Sequence, residues 1–468
     1  MSNLIPNLSQ SSESNQLLNP PSGTLTQQIN NHFKNNKKRY KNTFYIAIIL
    51  VIFASGGLGG YWYSQKKGPP TTEQLNPKTA FLLEIYDKIK QNYWEKIPDD
   101  QLAGLYKLGA EKITNRPQSM NSLDKEGVKN LADRILSNLN DQEQKELAVN
   151  LGDMVLANLK PFNRSRLFTI TKEKELRETV SNIDRTADLY ENLDLDKNAS
   201  QQQITDTFQT KAAELTKDTS PEGQQKLAQV KRAYEALGDK ASRQIYDSTG
   251  IEPTVLGKIF EPDIYYIQIK RISPTTFDEF QKVANSVSNN KNLNNLILDL
   301  RSNIGGAIDI LPYFLGFFVG ENTYAYEFYH QGEPQPFKTK TGWLNSLVKY
   351  KKVVILTDGA TQSSAEVIAA SLKKYNVGVV LGSPTKGWGT VENTFPLNTI
   401  IDPNEAYSIF MVHSLTLRDD GQPIEGKGVD PLINLSDPTW PEQLYAHFNY
   451  QGLIDTIKKI IAPTKTTD

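Results

Sequence analysis

The stretch "TDGATQSSAEVIAASLKKYNVGVVLGSPTKGWGT", residues 357–390, decides how the C-terminal half of the chain is read. It ends one apolar run, turns through "GATQSS", continues into "AEVIAASLKKY" with Val367, Ile368, Ser371 and Leu372 at helical spacing, and resumes as the apolar run "VGVVLGS". Buried strand, turn, helix and buried strand in that order predict an α/β unit. Ser363 falls at the strand-to-helix turn, where the first N–H groups of the helix lack partners and the helix dipole favours negative charge. A nucleophile beside an oxyanion hole fits that turn, and so does a plain helix cap.

Working outward, "LNNLILDLR" reads as a second buried strand, ending in the turn "SNIGG" before the apolar helix "AIDILPYFLGFF". "KKVVILTD" is the strand that leads into the serine turn. Gly305 and Gly306 let a backbone N–H come close to an oxyanion, and they equally suit a simple change of direction.

The length of 468 residues predicts two or three domains. With 52 Lys and Arg against 53 Asp and Glu, no global basic surface points to nucleic acid. The absence of cysteine excludes disulfides, thiolate zinc sites and a cysteine nucleophile. His32, His330, His413 and His447 show no metal-ligand spacing, so neither a metal nor another cofactor is expected.

Residues 1–42 read as a disordered cytoplasmic tail, polar and poor in aromatics at its start and basic at its end. Residues 43–63, "TFYIAIILVIFASGGLGGYWY", are uncharged and of a length that spans a bilayer core as one helix. Lys34, Lys37, Lys38, Arg39 and Lys41 precede them, which places the N-terminus in the cytoplasm and everything after residue 64 outside it, at the cell membrane. A linker at 64–77 leads to an arm at 78–180, whose Phe81, Leu82, Ile85, Ile89 and Tyr93 mark one helical face and which shows no evident chemistry.

Residues 186–250 resemble the J-domain of co-chaperones. The likeness is carried by Tyr190, Leu193, Asn198-Ala199-Ser200, Ile204 and Phe208, then Ala233-Tyr234-Glu235, Leu237, Arg243, Tyr246-Asp247 and Gly250. The resemblance implies an all-α hairpin with a short third helix. The family's His-Pro-Asp tripeptide, which stimulates a chaperone ATPase, is replaced by Thr216-Lys217-Asp218. A spacer or a docking module for a protein partner is therefore expected in place of co-chaperone activity.

"LILDLRSNIGG", the stretch quoted first and "GQPIEGKGVDPLI" together resemble the C-terminal processing (tail-specific) serine peptidases, in order and spacing. The resemblance implies that residues 258–468 form an α/β domain of crotonase-like ββα units, with Ser363 as nucleophile. Ser364 and Gly305 or Gly306 would supply the oxyanion amides, and the ligand or substrate would be an extracytoplasmic polypeptide. The J-like module stands where the family normally carries a PDZ domain.

The family's general-base lysine lies 25 positions after the serine, and that count lands on Trp388. Indole carries no basic lone pair. Lys386 would share a face with position 388 if the chain were extended there, an offset of about 6.5 Å. It would also have to be neutral, as roughly one free lysine in 2,500 is at pH 7. The family's supporting glutamine is replaced by Glu392, which near a lysine would favour the charged form; a Ser363–Glu392 pair is another arrangement to weigh. Two readings follow: a serine peptidase using Ser363 and Lys386, or an inactive relative that binds polypeptides. Oligomeric state is not legible in the sequence.

Overall fold

The computed structural model describes residues 75–182, 188–218, 220–418 and 420–462. The expected tail, the expected transmembrane segment 43–63 and most of the linker lie outside the described residues. Among the described residues no helix is long and apolar enough to cross a membrane.

Four helices open the described chain: α1 (Pro77–Asn92), α2 (Asp99–Thr114), α3 (Lys125–Leu136) and α4 (Asp141–Ala157). Each begins where its sequence supplies a cap or a rigid start. The Asn76 side chain accepts from the Lys78 N–H with Pro77 in the first turn, and Asn140 and Glu143 form a reciprocal capping box on α4. Their inner faces, including Phe81, Leu82, Ile85, Leu102, Leu131 and Leu151, share a core with Ile409 and Met411 from the far end of the chain. A strand, β1 (Arg166–Thr169), and a helix, α5 (Ile170–Val180), complete the arm. The arm expected to be helical throughout thus contributes a strand, too short for any alternation to reveal it.

The middle module consists of α6 (Gln201–Leu215), α7 (Pro221–Leu237) and α8 (Lys240–Thr249). Leu189, Tyr190, Leu193, Ile204, Val230, Ala233 and Leu237 make its own small core. Thr216, Lys217 and Asp218 join α6 to α7, and the side chain and N–H of Ser220 hold the Asp218 carboxyl below the ordinary range. An ion pair between Glu235 and Lys270 ties the module to the C-terminal domain, and the Asn182 side chain donates to the Glu252 carbonyl between the segments that flank it.

The C-terminal domain runs β2 (Val255–Phe260), β3 (Ile264–Ile269), α9 (Thr276–Ser286), β4 (Asn295–Asp299), α10 (Leu311–Val319), β5 (Tyr324–His330), β6 (Glu333–Lys338) and α11 (Asn345–Val348). It continues with β7 (Lys352–Thr357), α12 (Ser364–Lys374), β8 (Val379–Gly382), β9 (Thr390–Pro396), β10 (Tyr407–Thr416), β11 (Ile433–Asn434), α13 (Trp440–Phe448) and α14 (Gln451–Ile461). One sheet has the order β11-β8-β7-β4-β3-β2, parallel except for β2. Every residue of β4 and β8 is buried, as parallel strands covered on both faces require.

The second sheet is built on β10. Antiparallel β9 lies along one edge from Ser408 to Leu415, while β1 and β5 share the other edge at opposite ends. The arm is therefore stitched into this sheet, with Arg166 opposite Phe410 and Thr169 opposite Tyr407.

Candidate active site

Ser363 precedes the first turn of α12 with φ 57° and ψ −128°, a conformation that costs a residue with a Cβ about 1–3 kcal/mol. The strained turn is held from both sides. Its N–H donates to Glu366 Oε2 at 2.8 Å, and the preceding Gln362 N–H donates to the Asn303 carbonyl at 2.9 Å. Asn303 is fully buried and organises the glycine turn: its Oδ1 accepts the Gly305 N–H at 2.8 Å and its Nδ2 donates to the Ile269 carbonyl. A Cβ on Gly305, which stands at φ 81°, would lie 2.6 Å from Ser363 Cβ and 2.9 Å from the Ser364 nitrogen, so glycine is required for this approach. The Ser364 hydroxyl donates to the Gly306 carbonyl at 2.8 Å.

The structure thus brings Gly305, Gly306, Ser363 and Ser364 together. It also divides the two glycines. The Gly305 N–H is consumed by Asn303, whereas the Gly306 and Ser364 N–H groups have no partner among the described residues. Two unpaired amides beside a serine can receive a carbonyl oxygen or an oxyanion.

Opposite the serine turn lies the loop 383–389. Glu366, fully buried, accepts four hydrogen bonds: from the Thr385 hydroxyl and Gly387 N–H on Oε1, and from the Ser363 and Trp388 N–H groups on Oε2. Burial pushes its carboxyl above the ordinary range, and the four donors oppose that shift.

The extended chain expected at 386–388 is not formed. Gly387 stands at φ 77° and turns the backbone, and β9 begins only at Thr390. Lys386 is consequently exposed; its N–H reaches the Thr361 carbonyl, and its amine makes no hydrogen bond or ion pair among the described residues. Trp388 is half-buried. Its indole N–H approaches Glu392 Oε1 at 3.4 Å, and the Arg164 guanidinium carbon sits 3.3 Å from its ring centroid. No hydrogen bond joins the Ser363 hydroxyl to Lys386, Trp388 or Glu392.

Residues 263–435 match the model of peptidase family S41, and residues 188–247 match that of the DnaJ domain. Over residues 263–435 the C-terminal domain is similar to peptidase family S41. Over 174 residues the chain is 28% identical to a probable CtpA-like serine protease of Staphylococcus epidermidis, a match that covers 37% of this chain and 34% of that protein. It is 28% identical over 194 residues to the carboxy-terminal processing protease CtpA of Bacillus subtilis, covering 41% of this chain and 39% of the relative. The chain thus spans little more than a third of the length of these curated relatives. Among solved structures, a photosystem II D1 C-terminal processing protease aligns with a TM-score of 0.47 at 13% identity, over 77% of this chain and 93% of that one.

Several residues that shape the serine turn and its facing loop were not legible as site residues. Asn303 looks like an ordinary turn residue, Thr385 like loop filler, and Glu425 like one charge in a glycine-rich loop. Arg164 belongs to the arm, where the sequence shows no chemistry. The signal in the sequence was the pair 388 and 392: a Trp and a Glu, where the resemblance implies a lysine and a glutamine, need partners of their own.

Glu392 has found them in Trp388, in the Thr390 hydroxyl at 2.5 Å and in the field of Arg164. Burial nevertheless pushes its carboxyl above the ordinary range. A carboxyl raised in the folded state holds its proton more tightly there than in the unfolded chain. Its contribution to stability is therefore full below the ordinary value of about 4.3 and is lost as pH rises through the raised value. Glu392→Gln should flatten the fall in melting temperature between about pH 4 and 8, leaving the part due to Glu366. Thermal melts at stepped pH check this, and a variant whose curve parallels the parent's would count against it.

Proposed function

We propose that the chain is a membrane-anchored, catalytically silent member of the S41 family that holds a polypeptide at the retained serine turn outside the cytoplasm. One observation carries the reading: the position that the resemblance gives to the base is filled by an indole pinned between Arg164 and Glu392, and among the described residues no basic group is bonded to the Ser363 hydroxyl. A serine hydroxyl without a proton acceptor is a poor nucleophile. The Gly306 and Ser364 amides remain available to grip a peptide carbonyl, so binding is retained where cutting is lost. The relatives' names, carboxy-terminal processing proteases, suggest a chain end as the ligand.

The strained Ser363 backbone, kept in full, favours a second reading, in which Lys386 swings in as a relocated base. The full chain treated with a fluorophosphonate probe over about pH 6–10 separates the two. We expect no labelling of the parent or of Lys386→Ala. Labelling lost in both Ser363→Ala and Lys386→Ala would establish the peptidase.

The hydrophobic segment 43–63 supports the anchoring, and the J-like module supports a docking role for a protein partner. With Thr216 and Lys217 where the J-domain family has His and Pro, residues 188–250 supply no ATPase-stimulating loop.

A further inference from the structure

We infer that Arg164, on the arm, is a positioning residue of the serine site. The segment between α4 and β1 lays its guanidinium on the face of Trp388 and pairs Nη2 with Glu425 Oε1 at 3.0 Å, in a pair whose side chains are only 16% and 15% exposed. The other Glu425 oxygen accepts the Gly389 N–H at 2.8 Å. Arg164 Nη1 is buried without a hydrogen-bond partner among the described residues, so stacking and the ion pair hold the guanidinium here despite an unmet donor.

The loop 387–389 is thus gripped on one side by the Arg164–Glu425 pair. On its other side the Gly387 and Trp388 N–H groups end on Glu366, the same carboxylate that takes the Ser363 N–H. Arm, loop, carboxylate and serine form one unbroken chain of contacts. A planar guanidinium can stack on indole and pair with a carboxylate at once, which a lysine ammonium at the same position cannot reproduce. The arm accordingly does more than cover the domain: its docking sets the backbone at the serine.

This holds whether Ser363 is reactive or silent, because the readout is not activity. Amide hydrogen exchange on the full chain, comparing Arg164→Met and the gentler Arg164→Lys with the parent, provides the test. In both variants exchange at Ser363, Gly387 and Trp388 should rise by about tenfold or more, well beyond the change at β4 and β7. The inference is overturned if those three amides keep parental protection, if they loosen only in step with β4 and β7, or if lysine restores them.

Discussion

Replacing Trp388 by lysine and Glu392 by glutamine together should make Ser363 react with a fluorophosphonate probe, about a hundredfold to ten-thousandfold faster than the parent, the range a positioned base supplies. The parts it needs are standing. The serine keeps its strained turn, and the Gly306 and Ser364 amides have no partner among the described residues. A lysine at 388 would emerge from a backbone fixed by Glu366, and it would meet the Arg164 guanidinium that now lies 3.3 Å from the indole. A neighbouring positive charge disfavours the ammonium form, so it pushes a lysine toward the neutral state a base requires. Glu392 would push the other way, which is why the glutamine belongs in the same variant. Adding Ser363→Ala must abolish the gain. If the double variant folds and labels no faster than the parent, the proposal that the serine lacks only a base fails.

Loss of the Glu366 carboxylate should be the most damaging single change in the domain. Glu366→Ala leaves the Thr385 hydroxyl and three backbone N–H groups without their acceptor in a fully buried place. Each stranded donor costs about 1–3 kcal/mol, and partial relaxation brings the expected total to about 3–5 kcal/mol. Glu366→Gln should fall between, since its amide keeps one acceptor oxygen and turns two donors toward donors. Chemical denaturation measures the difference; an alanine variant within about 1 kcal/mol of the parent would mean that these bonds are replaced at little cost.

The parts legible in the sequence are those where a local pattern has a single physical meaning. Short apolar runs bounded by turn residues, such as "VVIL" and "LIL", read as covered strands, and the helical spacing after Ser363 fixes the turn before it. The J-like hairpin carries its own core and is self-announcing for the same reason. What could not be read depends on residues far apart or on one backbone angle. Arg164 and Glu425 are 261 positions apart, and nothing near either one signals the other. Placing Lys386 beside the serine rested on an extended backbone, and Gly387 alone removes that assumption. The four-residue β1 is recognisable only from the strand it joins.

That last pairing bears on how the chain can be made. Because Arg166–Thr169 hydrogen-bonds with Tyr407–Phe410, the early part of the polypeptide must wait for most of the rest to be synthesised before its edge is satisfied. The α6–α8 hairpin, whose apolar core is drawn from its own residues, can mature in the interval, while the helices ahead of it keep apolar surface uncovered. Premature termination between residues 250 and 407 would therefore release a product with a finished middle and an unfinished beginning, a natural target for quality control.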